Sequence, residues 1–220
     1  MKSISYAITV NDELYEIQAL ISHISSRIKK EHNEIVVLQD IGEDDLLTDK
    51  KLEVFRYLTQ QESDGKIKFF HHPLNNDFAT QKNYLNTLCS NNYIFQLDAD
   101  EDVTDSFIDN VNVLVSLNDN VDAYWVPRIN LVENITPEDL QKWGWRITQQ
   151  GWINWPDAQC RIFRNHPAIK WERAVHEYLT GYQVVSKLPT EEEWAIIHKK
   201  TIIKQKQQNK LYEKIITGKE

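Results

Sequence analysis

The run Phe95-Gln96-Leu97-Asp98-Ala99-Asp100-Glu101 is where residue type and spacing first suggest chemistry. Residues two apart in extended backbone point the same way, so Asp98 and Asp100 are expected to face one site with Ala99 turned aside. Two carboxylates at a strand end suit a hard divalent cation, Mn2+ or Mg2+, which takes oxygen ligands. Such a cation can bridge two phosphates and neutralise the charge that grows on a diphosphate leaving group. The cluster is expected to repel itself without metal, so Asp100→Ala should cost little stability. An acidic pair alone also serves as a solvated loop or a helix cap, so its position in the fold has to decide.

That position follows from the pattern around it. Residues 4–10 are apolar and β-prone and stop at Asn11; 34–38 form a second such run that delivers Asp40. Further strands are predicted over 66–70, 93–97 and 123–127. Between them lie helical spacings: Leu14, Ile17, Leu20 and Ile24, then 46–58, then a stretch capped by Asp77, then 104–117. Strands alternating with helices predict an α/β fold with a Rossmann-like, mostly parallel sheet. Right-handed crossovers place the strands' C-terminal ends on one edge, where ligands bind. Asn11, Asp40 and Asp98 therefore converge on one crevice. After Arg128 the rhythm changes: Pro, Gly and six of the seven tryptophans fall in 129–198, read as strands and loops closing over the sheet edge. A final helix is predicted over 199–216. We read 1–128 as a nucleotide-sugar-binding half and 129–220 as an acceptor-side half of one domain.

Bulk properties narrow the partners. A net charge of -8 argues against a general nucleic-acid binder, whose affinity rests on basic patches. Two cysteines, Cys89 and Cys160, are far apart and form neither a disulfide framework nor a zinc site, pointing to a reducing, cytoplasmic setting. No signal peptide and no apolar run of membrane-spanning length is visible. The final helix carries Lys199, Lys200, Lys204, Lys206, Lys210 and Lys214, which suit either a solvated face or peripheral contact with an anionic membrane.

In pieces over nearly its whole length, the chain resembles the family 2 glycosyltransferases, which have the GT-A nucleotide-diphospho-sugar fold. Ile8-Thr9-Val10-Asn11-Asp12-Glu13 is similar to the family's opening strand and turn. Asp40-Ile41-Gly42-Glu43-Asp44-Asp45 is similar to its D-x-x-S-x-D loop, with Glu43 where Ser is usual. The stretch 77–83 resembles the segment ending in Arg-Asn, with Lys82 for Arg. Leu97-Asp98-Ala99-Asp100-Glu101 matches the DxD segment; residues 156–164, Val175-His176-Glu177 and Ile197-His198 resemble later segments.

The resemblance implies a glycosyltransferase acting on a nucleotide-sugar donor, with a UDP-sugar expected, and on a glycan, lipid-linked glycan or protein acceptor. Asp40 would bond the nucleobase, and Val10 and Asn11 would help hold the nucleoside. Lys82 would join the donor side; Asp98 would contact ribose or metal; Asp100 would bind the metal, with His198 completing its shell or remaining structural. An inverting transfer needs a base, and Glu177 is the first candidate with Asp157 second; either can instead pair with Arg161 or Arg173. Arg161 and Arg164 suit phosphate or ion pairs with Glu172 or Glu177. Trp152 and Trp155 are the acceptor-contact candidates among tryptophans that otherwise pack a core, and Arg161 and His176 complete the acceptor side. Two other functions compete: a sugar-phosphate nucleotidyltransferase, which expects a Gly-rich basic loop that 11–14 lack, and a non-catalytic sugar- or metal-binding module.

Overall fold

The computed structural model describes residues 1–42 and 48–218. Glu43, with the Ser-to-Glu departure read there, lies outside the described residues. So does the start of the helix predicted from Leu46, which is described from Asp49.

The first half alternates as predicted: β1 (Ile4–Val10), α1 (Leu14–Arg27), β2 (Asn33–Gln39), α2 (Asp49–Ser63), β3 (Lys68–His71), α3 (Phe78–Leu88) and β4 (Tyr93–Asp98). Then come β5 (Glu101–Val103), α4 (Asp105–Leu117), β6 (Ala123–Val126), β7 (Arg128–Glu133) and a short α5 (Pro137–Trp143). The chain ends with β8 (Gln159–Arg164), β9 (Lys170–Glu172), β10 (Tyr178–Thr180), β11 (Val185–Lys187), β12 (Ile196–Thr201) and α6 (Ile202–Thr217). Side-chain caps set several helix starts: Thr48, Asp77, Thr104, Thr136 and Thr201 each accept from the backbone N–H three residues on. The last of these corrects the final helix. Residues 196–201 are a strand paired with β5 and β7, and the helix begins only after the Thr201 cap.

The central sheet has the order β11-β6-β8-β4-β1-β2-β3. Its pairs are parallel except those on either side of β8, which runs antiparallel to both β4 and β6. Reversing β8 brings its starting end, with Arg161, to the edge where the other strands finish. A second sheet, β5-β12-β7, borders that edge, and β9-β10 is a separate hairpin.

Alternation along β1 splits the core in two. Ile4, Tyr6, Ile8 and Val10 pack with α1, α2 and α4 through Ile17, Leu20, Val54, Leu58, Phe107 and Val111. Ala7 faces the opposite layer with Val36, Leu38, Leu85, Ile94, Phe163 and Trp171. The β9-β10 hairpin closes this second core through Trp171 and Leu179. Its end depends on Gly181, at φ +80, where a Cβ would stand 1.8 Å from the Ala168 carbonyl oxygen. Gly181→Ala is expected to cost more than about 2 kcal/mol, from left-handed backbone plus a clash that backbone must absorb. Gly144→Ala, at φ +64 in open space, should cost only about 1 kcal/mol. Urea midpoints of the two variants check the contrast; equal losses would refute it.

Candidate active site

Three strand ends meet at the carboxyl edge of the sheet. Thr9 is in register with Asp98, and Val10 with Gln39, so Asn11, Asp40 and Asp98 stand at one level with β1 in the middle. The Asp40 N–H donates to the Val10 carbonyl at 2.8 Å, and Gln39 Nε2 donates to the Asn11 carbonyl at 3.1 Å. Asp40 Oδ1 accepts from the Leu74 N–H at 2.7 Å, and Lys51 Nζ donates to the Asp40 carbonyl at 2.7 Å. Asp40 thus ties the loop after β3 to the edge.

Strand β4 stops at Asp98, and 99–100 form a turn closed by Glu101 Oε2, which accepts from the Asp98 N–H at 3.0 Å. The expectation that Asp98 and Asp100 share one facing came from extended backbone, and the turn overrides it. Asp98 Oδ1 accepts from Thr9 Oγ1 at 2.8 Å and lies 3.6 Å from Lys82 Nζ; its Oδ2 accepts from Arg161 Nη2 at 3.1 Å. Burial alone would raise the Asp98 carboxyl, but Lys82 and Arg161 outweigh it and hold it far below the carboxylate range.

Arg161 is 3% exposed, and its Nη2 also donates to Glu101 Oε1 at 2.8 Å. Its Nη1 is buried and has no hydrogen-bond partner among the described residues. Burial disfavours the guanidinium, but Glu101 and Asp98 more than compensate and raise its affinity for the proton. Its partners are these two carboxylates, not Glu172 or Glu177. Arg164 turns away to Asp122 at 3.1 Å and caps carbonyls at 119 and 121. Lys82, buried on α3, gives its ammonium to Glu177 Oε1 at 2.5 Å over the face of Trp171. Burial pushes the Glu177 carboxyl up, and Lys82 brings it net below its ordinary value.

Asp100 meets a different set. Its Oδ2 is 3.4 Å from His198 Nε2 on β12 and 3.2 Å from Lys204 Nζ on α6. His198 Nδ1 is 3.0 Å from Asn130 Oδ1, while Asn130 Nδ2 donates to Asp157 Oδ2 at 2.7 Å. Because the Asn130 side-chain carbonyl accepts, His198 Nδ1 carries hydrogen, which leaves Nε2 as the ring nitrogen that faces Asp100. Burial would raise the Asp100 carboxyl; His198 and Lys204 reverse this and lower it well below the carboxylate range. Asp157 also accepts from Arg128 Nε and Nη2, at 3.0 and 2.8 Å, and all these bonds end on Oδ2.

On the acceptor side, Trp152 and Trp155 are half-buried with ring centroids 4.8 Å apart, and Trp171 is core. His176 is exposed at φ 53 with its ring 5.2 Å from Tyr212. Asn154, Asp157, Arg173 and His176 all adopt positive φ, a cost of about 1–3 kcal/mol each for residues with a Cβ.

Several members of the site escaped the sequence reading. Glu101 was visible only as the neighbour of the DxD pair, yet its side chain is fully buried between Arg161 and Arg128. Arg128 and Asn130 alternate with apolar Ile129 on β7, a period-two signal that places both on one face. Thr9 and Glu13 were visible only as parts of the opening motif and Lys204 only as one of a basic run, and Tyr212 carries no signal in one dimension. Burial pushes Tyr212 up to about 12 and Lys200 down to about 8. Among the described residues no three His, Cys, Asp or Glu side chains gather as a metal cluster, and no helix is long and apolar enough to cross a membrane.

No protein-family model and no curated protein matches the sequence. Solved structures do match in shape. S. aureus TarS 1–349 superposes with a TM-score of 0.60 at 11% identity, covering 90% of this chain and 60% of that one. The same segment in complex with UDP-GlcNAc gives 0.58 at 11%, covering 90% and 58%, and its complex with UDP gives 0.59 at 10%, covering 90% and 60%. This chain therefore spans less than two thirds of the length of those structures. At such identities the likeness establishes one thing, a shared fold.

Proposed function

We propose that the chain transfers a sugar from a UDP-sugar to an acceptor hydroxyl, with inversion and with a bound divalent cation. The observation that carries this is the Asp100–His198 pair beside Asp98, at the carboxyl edge of a fold shared with structures holding UDP and UDP-GlcNAc. The pair fits a cation: one hard oxygen and one imidazole lone pair, with the imidazole fixed from behind by Asn130. Mn2+ suits this mixed set, and Asp98, spoken for by Thr9, Lys82 and Arg161, contributes charge and position. Such a cation would neutralise the diphosphate as it leaves.

The chain's own groups supply the rest. Asp40 and the turn after Val10 bound the nucleoside end, and 1–128 and 129–220 divide as donor and acceptor halves. Glu177 takes the proton of the acceptor hydroxyl once Lys82 is drawn from it by an anionic donor; the shared ammonium, 2.5 Å from Glu177 and 3.6 Å from Asp98, supports this coupling. Asp157 is the alternative base because its Oδ1 is not engaged by Arg128 or Asn130.

Thermal unfolding with UDP, UDP-sugars and uridine, with and without Mn2+, tests the donor reading. A ligand at 100 times its Kd stabilises by about 2.7 kcal/mol. Stabilisation followed by slow release of UDP supports the enzyme. Stabilisation without release supports the non-catalytic module, and no stabilisation by any nucleotide rejects the reading. Glu177→Gln is expected to keep donor affinity and lower transfer by roughly 10²–10⁴-fold. Near-normal transfer there, with loss in Asp157→Asn, reassigns the base, and a product of retained configuration defeats the inverting mechanism.

A further inference from the structure

Six lysines near the C-terminus read as one basic surface in sequence, but the fold separates them. Lys199, Lys206, Lys210 and Lys214 are exposed. Lys200 and Lys204 turn inward toward the crevice, where α6 crosses from the Asp100 side to the Glu177 side. Lys204, Gln208 and Tyr212, each four residues after the last, share the inner face of this helix. Lys204 Nζ lies 3.2 Å from Asp100 Oδ2 and 3.4 Å from Glu13 Oε1. Gln208 accepts from Lys200 Nζ at 3.0 Å and donates to the Tyr212 hydroxyl at 2.9 Å. Tyr212 sits between Phe78 and His176, with ring centroids at 5.7 and 5.2 Å.

Lys200 is the anomaly in this roof. It is half-buried, donates to Gln208 and makes no ion pair among the described residues, although Asp100 and Glu101 as well as Arg128 and Lys204 lie close enough to act on its charge. A half-buried ammonium with no carboxylate in contact is placed to take an anionic ligand. Lys204, for its part, holds the same Asp100 oxygen that faces His198. A divalent cation at that oxygen competes with the ammonium, whose flexible stem frees it to follow the anion that the cation brings.

We propose that Lys200 and Lys204 form a cation pair that receives the diphosphate of the donor, an inference that rests on the nucleotide-sugar reading above. It gives the last basic segment a ligand of defined class, a nucleoside diphosphate, in place of a lipid surface.

Calorimetric titration of UDP and of uridine in Mn2+ separates phosphate recognition from base recognition. Lys200→Met and Lys204→Met should each weaken UDP by about 10- to 100-fold, the worth of one charge-assisted contact, and leave uridine unchanged. Lys204→Arg should recover most of the loss, and Lys206→Met, which removes only the pair with Asp139, should match wild type for both ligands. Circular dichroism confirms that the variants fold, with Lys204→Gln standing in for a Met variant that does not. UDP affinities equal to wild type in the Met variants overturn the proposal. Wild-type chain that binds uridine and UDP alike also overturns it, while leaving the nucleoside site intact. Wild-type chain that binds neither ligand rejects the nucleotide-sugar reading and the cation pair together.

Discussion

Asp100→Ala is expected to lower sugar transfer by at least about 10³-fold, the scale of the charge stabilisation a bound cation supplies to a leaving diphosphate. Only His198 would remain of the pair. The variant should also lose any Mn2+-dependent gain in thermal stability. The structure changes what the same substitution does to the metal-free protein. Asp100 does not stand in a self-repelling cluster; His198 and Lys204 hold its carboxyl far below its ordinary range. A carboxyl lowered in the folded state contributes stability above its unfolded pKa of about 3.9, lost as pH falls through the folded value. Asp100→Ala should therefore destabilise by about 1–2 kcal/mol at pH 7, and the difference from wild type should shrink below about pH 4. Urea unfolding at the two pH values measures it. A structural Asp100 would show the stability loss with the Mn2+ effect intact; transfer at wild-type rate would remove the residue from the mechanism.

Arg161→Met carries the largest expected stability effect. The guanidinium is buried and holds Glu101, whose side chain is fully buried, and Asp98. Removing one partner of a buried pair leaves charge behind, at a cost of about 3–5 kcal/mol. For a chain of 220 residues that is a fall in Tm of about 10 °C, near 2–4 °C per kcal/mol. The pH dependence has the same sign as for Asp100: wild-type Asp98 is held low by its cations, so the penalty is full at neutral pH and declines as acid protonates the carboxyls. Arg161→Lys should recover only part, because an ammonium cannot reproduce the guanidinium fork. A variant of near-wild-type stability with weakened acceptor binding would return Arg161 to the acceptor role suggested by its sequence context.

Legibility differed along the chain for identifiable reasons. The β-α alternation through 117 was readable because apolar period and capping residues agree: Asp77 and Thr104 cap the helices predicted to start at them. Past Arg128 the elements are short, and their pairing is non-local: β8 inserts between β4 and β6, and β12 between β5 and β7. No local pattern encodes such insertions, so the strand status of 199–201 was read as helix. The DxD pair was legible as chemistry but not as geometry, since a turn begins at the second residue after Leu97.

By itself, the sequence determined the fold class, the sheet edge to which Asn11, Asp40 and Asp98 are delivered, and the candidate carboxylates Asp98, Asp100, Asp157 and Glu177. These follow from periodicity and from strand ends, which are local properties. Only the tertiary structure decided how charges are partnered: Asp98 with Arg161 and Lys82, Asp100 with His198 and Lys204, Glu177 with Lys82. Each of these pairs joins side chains on different elements of the fold, and an ion pair has no sequence period to announce it. What a carboxylate does depends on which cation the fold brings within reach and how much water it removes, and both quantities exist only once the strands have docked.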